Sequence, residues 1–132
     1  MSPEDRAAVG ELLALHGHLF DDGELDRLDL LFTPSVRYDV TALGGRVLEG
    51  IDAIRDAALA LGDRNPLGHH VTNVMLAEQA DGSVRARSKG IGVNADGTVG
   101  TVTYEDTVVR TDGGWRIAAR TVVPRRAPLG RR

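Results

Sequence analysis

Residues 69–123 read HHVTNVMLAEQADGSVRARSKGIGVNADGTVGTVTYEDTVVRTDGGWRIAARTVV, and the punctuation of this stretch decides the fold. Asp81-Gly82, Asp96-Gly97 and Asp112-Gly113-Gly114 are tight-turn signals. They divide the segment into strands near 69–79, 83–95, 98–111 and 115–123. Strands joined by such short turns form an antiparallel meander. Each run exceeds the usual ~5–6 residues, and Gly90 and Gly92 fall mid-strand, where bulges or bends let a sheet curl. A sheet this long and this curled wraps into a cone around whatever packs against it.

Helical periods occupy the chain before His69. Val9, Leu12, Leu13, His16, Leu19 and Phe20 recur at spacings of three and four, which predicts a helix from near Ser2-Pro3 to Asp21. Asp22-Gly23 breaks it. Leu25, Leu28, Leu31 and Phe32 predict a second, shorter helix that stops before Pro34. Val36, Tyr38 and Val40 alternate with polar residues, and Gly44-Gly45 turns that strand toward Val47 and Leu48. A third helix follows Gly50 on the spacing of Ile51, Ile54, Ala58 and Leu61. No repeat, linker or low-complexity stretch separates these parts. The expected fold class is α+β: three N-terminal helices packed into a strongly curved, mostly antiparallel sheet.

The 132 residues fit one domain, placed at 1–124, with a basic tail over 125–132. Cysteine is absent, which excludes disulfides and thiolate metal sites. His69 and His70 are strand neighbours that point apart, with no further ligands at supporting spacing, so no metal is expected. Phosphate loops and nucleophile elbows are also missing, and no cofactor is expected. The net charge of −3 argues against a nucleic-acid partner. No apolar run approaches the ~20 residues that span a bilayer, and the acidic start is unlike a leader, so a cytoplasmic protein without membrane contact is expected. The tail Pro124-Arg125-Arg126-Ala127-Pro128-Leu129-Gly130-Arg131-Arg132 reads as a solvated segment, with anion binding or partner docking as the alternative.

The order of elements, together with Phe20-Asp21-Asp22-Gly23-Glu24-Leu25-Asp26, Leu31-Phe32-Thr33-Pro34, Gly50-Ile51-Asp52-Ala53-Ile54, His70-Val71-Thr72-Asn73, Tyr104-Glu105-Asp106, Gly113-Gly114-Trp115-Arg116-Ile117 and Arg120, resembles the SnoaL-like branch of the nuclear transport factor two-like superfamily. The resemblance covers nearly the whole chain and implies a cone-shaped α+β barrel. Similar proteins include polyketide cyclases, scytalone dehydratase, ketosteroid isomerase and limonene epoxide hydrolase, a range that separates fold from reaction. Against scytalone dehydratase, Phe20-Asp21 and His70 fall at the places of its Tyr-Asp pair and sheet-opening His, while Asn94 stands near its second catalytic His. Against ketosteroid isomerase, His16 lies near the helix tyrosine, but no acid occurs from Ser83 to Val93. Arg85-Ala86-Arg87-Ser88-Lys89 lacks the aspartate of the limonene epoxide hydrolase Arg-x-Asp.

The candidate catalytic residues are therefore Asp21 and His70. A carboxylate accepting a ring N–H fixes the imidazole tautomer and makes its other nitrogen a better base. The alternative is that Asp21 ends a helix in solvent and His70 pairs with main chain. The candidate substrate-binding residues are His16, Phe20, Tyr38, Val40, Ile54, Asn73, Met75 and Tyr104. Tyr38 and His16 would orient or polarise oxygen, and Phe20, Val40, Ile54 and Met75 would form apolar wall with Leu12. His16 on an apolar face reads equally as a core residue, which unpartnered would cost about 1–3 kcal/mol. His70 and Asn73 have opposite strand parity unless a bulge intervenes.

Three functions fit. One is an enzyme, a lyase or isomerase without cofactor that cyclises, isomerises or dehydrates a small apolar carbonyl compound such as a polyketide or steroid-like molecule. Another is a protein that binds such a molecule without chemistry. The third is an interaction module. A homodimer is expected in any case, because Val99, Val102, Tyr104, Val108, Trp115, Ile117 and Val122 offer more apolar surface than one cone interior needs.

Overall fold

Helix α1 (Pro3–Asp21) opens on a capping box: Ser2 Oγ accepts the Asp5 N–H at 3.0 Å, and the Asp5 carboxylate accepts the Ser2 N–H at 3.4 Å. This is a computed structural model, describing residues 1–131. The second helical segment, Leu25–Leu30, is a 3-10 helix, tighter and shorter than the expected helix. Strand β1 (Phe32–Asp39) then starts four residues ahead of Val36 and takes in Pro34. Its register skips between Phe32 and Arg37, so the missing proline N–H removes no ladder bond. Strand β2 (Val47–Glu49) and helix α2 (Ile51–Leu61) complete the N-terminal half.

The meander forms β3 (Gly68–Glu78), β4 (Val84–Val93), β5 (Val99–Thr111) and β6 (Gly114–Pro124). All six strands make one sheet in the order β2-β1-β6-β5-β4-β3. Its pairings are antiparallel except β1 with β6, which run parallel. The result is the mixed α+β architecture read from the sequence, with helices against a curved sheet.

Two irregularities decide which side chains face inward. Asn73 takes φ +56°, and the β3–β4 register shifts between Thr72 and Met75. Inward parity therefore passes from His69 and Val71 to Leu76. The second shift, opposite Thr107 and Val108, moves the buried set of β6 from Trp115 and Ile117 to Arg120 and Val122. The apolar residues of β5 and β6 that suggested an intermolecular face consequently do not make one. Tyr104, Val108, Trp115, Ile117 and Val122 are buried, and of the seven only Val99 is largely exposed.

One end of the cone is packed solid by Val9, Leu13, Val84, Val108 and Ile117, each with no exposed surface. The start of α1 is fastened there by Asp5, which accepts Arg110 Nη2 at 2.7 Å. At the other end, where β3 and β5 begin and β4 and β6 finish, the interior is hollow. Strand β4 shows why. Its alternate buried positions run Val84, Ala86, Ser88 and Gly90, followed by Gly92, so inward bulk shrinks along the strand. The space above Gly90 is filled from the neighbouring strand, since the Tyr104 ring lies where a Gly90 side chain would stand.

Candidate active site

Asp21 is the last residue of α1, and α1 reaches the sheet at the first residues of β3. The approach is close because Gly17 has no side chain: a Cβ there would run into the His69 carbonyl. One turn further on, both Asp21 oxygens accept the His69 backbone N–H, at 3.0 and 2.9 Å. The Asp21 Oδ1 also meets the His69 ring Nδ1 at 2.6 Å. Backbone and side chain of His69 are thus fixed by one carboxylate.

The partner of Asp21 is His69, where the sequence pointed to His70. Strand alternation is the reason. Val71 turns inward, so His69, two residues away, does too, while His70 is exposed on the opposite face. There it borders a second, smaller pocket of about 240 Å³ with His18, Asp21, His69 and Val71. Two further expectations fail on the same strand. Met75 is 71% exposed, and Asn73 is an exposed bulge residue. Neither lines the interior.

The hollow end encloses about 590 Å³, within the ~300–1,000 Å³ of small-molecule sites. His16, Phe20, Tyr38, Val40, Ile54 and Tyr104 line it, together with His69. Leu12 belongs to the packed core instead. Rings crowd around His69 at the end of α1: His16 lies 5.5 Å away edge-on, and His16 stacks on Phe20 at 4.6 Å and meets Tyr104 at 5.6 Å. His16 is buried and its Nδ1 has no hydrogen-bond partner. Burial first, then charge interactions with Arg120 and His69, push its pKa well below the ordinary imidazole range. It is a neutral ring.

Beneath the two tyrosines lies a buried ion pair that sequence reading did not find. Asp106 and Arg120 stand opposite each other on β5 and β6, and Asp106 accepts Arg120 Nε at 2.7 Å and Nη2 at 2.9 Å. Both side chains are fully buried. Burial alone would lower the Arg120 pKa, but the charge and hydrogen bonds of Asp106 outweigh it and raise it, so the guanidinium stays charged. It stacks 4.1 Å from the Tyr104 ring centre and 6.0 Å from that of Tyr38, and its Nη1 is unpartnered. Burial raises both phenol pKa values, that of Tyr38 against an opposing pull from Arg120, so both hydroxyls remain protonated donors. Arg120 was visible in the sequence, but its pairing was not, because the irregularity in β6 breaks the parity count.

The site is thus a hollow apolar end of a curved-sheet cone, with His69 on its wall and Asp21 behind it. The chain belongs to the SnoaL-like domain family, whose model matches residues 2–121. Among solved structures, it is similar to Aln2 from a Streptomyces species, at 27% identity and TM-score 0.78, over 94% of this chain and 93% of that one. An NTF2-like protein with a cystatin-like fold from Novosphingobium aromaticivorans is 25% identical, with TM-score 0.77, over 97% and 84%. A protein with a cystatin-like fold from Nostoc punctiforme superposes at TM-score 0.81 over 98% of each chain, at 18% identity, which shows the fold alone. No curated protein sequence matches the chain. Among the described residues, no helix is long and apolar enough to cross a membrane, and no group of three or more His, Cys, Asp or Glu is placed to hold a metal.

Proposed function

We propose that this protein is a cofactor-independent lyase or isomerase acting by proton transfer on a small apolar carbonyl compound, polyketide-like or steroid-like. The observation that carries the reading is the 2.6 Å contact by which Asp21, standing behind the wall, holds His69, which lines the 590 Å³ cavity. With Nδ1–H held by the carboxylate, the other ring nitrogen of His69 is the base. It takes a proton from carbon next to the substrate carbonyl, and the C–H electrons move to form an enolate. Asp21 stabilises the imidazolium that results. The enolate oxygen accepts a hydrogen bond from Tyr38 or Tyr104, both of which line the cavity and keep their phenol protons. His69 then returns its proton, either to the γ-carbon, where a β,γ double bond in the substrate has made the enolate a dienolate, which isomerises the compound, or to a departing β-hydroxyl, which leaves as water. His16 and Phe20 form the apolar wall beside the base.

The test is a turnover screen with small cyclic ketones and polyketide mimics, followed by three variants. His69→Ala should lose about 10²–10⁴-fold in kcat with the fold retained. Asp21→Asn should lose activity as well, whereas His70→Ala should keep it. Full activity of His69→Ala on a confirmed substrate would refute the mechanism. Ligand binding without turnover would support a binding protein using the same cavity.

A further inference from the structure

The residues around the cavity are unbalanced in charge. No aspartate or glutamate lines it, yet Arg125 and Arg126 do. This occurs in a chain whose net charge is −3. The two arginines follow directly on β6, at the hollow end of the cone. Arg125 is not part of a loose tail, because its N–H donates to Thr101 O at 3.0 Å and extends the β5–β6 ladder by one bond. Its Nε donates to Thr103 Oγ1 at 3.1 Å, leaving the rest of the guanidinium for another partner. Among the described residues neither arginine forms an ion pair. Two cations beside an apolar cavity, with no acid among the described residues to neutralise them, lack an anion.

We propose that the ligand of this cavity is a carboxylate-bearing apolar ring compound, its acid group held by Arg125 and Arg126 at the rim and its rings directed inward toward His69, Tyr38 and Tyr104. Guanidinium forks suit a carboxylate because two parallel N–H donors meet its two oxygens. This inference rests on the cavity being the ligand site, and it adds an end-to-end orientation: acid outward, reacting carbon inward.

The experiment is calorimetric titration of the wild-type protein with 2-naphthoate and with its methyl ester, probes of one ring system that differ in charge. The acid should bind tighter by roughly 10–100-fold, the range for hydrogen bonds to a charged group, and added salt should weaken the acid alone. The double variant R125Q/R126Q should lose that preference while still binding the ester, which also shows that it is folded. Arg126→Gln alone, at an exposed position, should lose part of it. Equal binding of acid and ester to the wild type, or a preference that survives in the double variant, would overturn the inference. Ala58→Trp, which fills the cavity, separates the two readings. If it abolishes ester binding while the wild type shows no acid preference, the cavity remains the ligand site and the arginine subsite is wrong. If neither probe binds the wild type, or if both still bind Ala58→Trp, the cavity reading fails and this inference with it.

Discussion

Helix α1 holds two glycines whose replacement by alanine should have opposite effects. At Gly10 an added methyl meets nothing within 4 Å. The change removes a flexible residue from a helix interior and should stabilise the protein by about 1 kcal/mol. At Gly17 the same methyl runs into the His69 carbonyl oxygen, a backbone atom that cannot swing aside. Helix and strand would have to part by roughly 1 Å to restore ordinary contact near ~3.5 Å. Overpacking of that kind costs about 1–3 kcal/mol, partly offset by the same gain in helix propensity, so the two variants should differ in stability by about 1–3 kcal/mol. The larger effect is on chemistry. Asp21 lies one turn beyond Gly17, and its 2.6 Å contact with His69 Nδ1 would stretch past hydrogen-bonding range. Gly17→Ala should therefore remain folded but lose most turnover. Urea unfolding of both variants gives the stability difference, and ¹⁵N spectra of the His69 ring report whether Nδ1 still carries its proton to Asp21. Equal stability shifts of the same sign, with an unchanged His69 signal in Gly17→Ala, would refute the close helix–strand approach on which the site depends.

Arg120→Met should destabilise by about 3–5 kcal/mol, because it strands the Asp106 carboxylate with no exposed surface. Asp106→Leu combined with Arg120→Met should recover most of that loss, and chemical denaturation decides both. His16 is held neutral in the fold but takes up a proton near its ordinary value of 6.5 when unfolded. Stability should thus be complete above that pH and fall below it, by at most about 1.4 kcal/mol per pH unit, down to the depressed native pKa. His16→Leu should remove this part of the slope in thermal melts at stepped pH. A homodimer through the outer face of the sheet, where Met75 stands 71% exposed, should sediment at twice the 14.1 kDa chain mass. A monomer at micromolar concentration would rule it out.

The regular parts of this molecule were legible because periodicity survives wherever pairing is regular. The bounds of α1 follow from Ser2-Pro3 and Asp22-Gly23, and the four meander strands follow from their turns, to within two residues. Legibility failed at irregularities. Position in the motif favours His70, although counting inward from Val71 selects His69. The left-handed Asn73 then reset the parity and carried Met75 to the outside. The extra residue in β6 hid the register that sets Arg120 against Asp106. Leu25–Leu30 carries the spacing of an α-helix but forms a 3-10 turn, since the chain has only six residues there before Leu31 and Phe32 must enter the core. Arg125 and Arg126 read as tail because a single added ladder bond leaves no periodic trace.

The narrowing of side chains along β4 divides labour within one strand. Val84 and Ala86 belong to the packed core, whereas Ser88, Gly90 and Gly92 carry almost no apolar bulk, so little hydrophobic stability depends on them. Added bulk at Gly92, which lines the cavity, therefore trades against cavity volume, whereas at Gly90 it meets the Tyr104 ring and at the packed end it acts against folding. The Gly92 end of the strand can change the shape of the cavity without touching the packed core. On this scaffold the shape of the cavity can vary without change to the architecture that holds it.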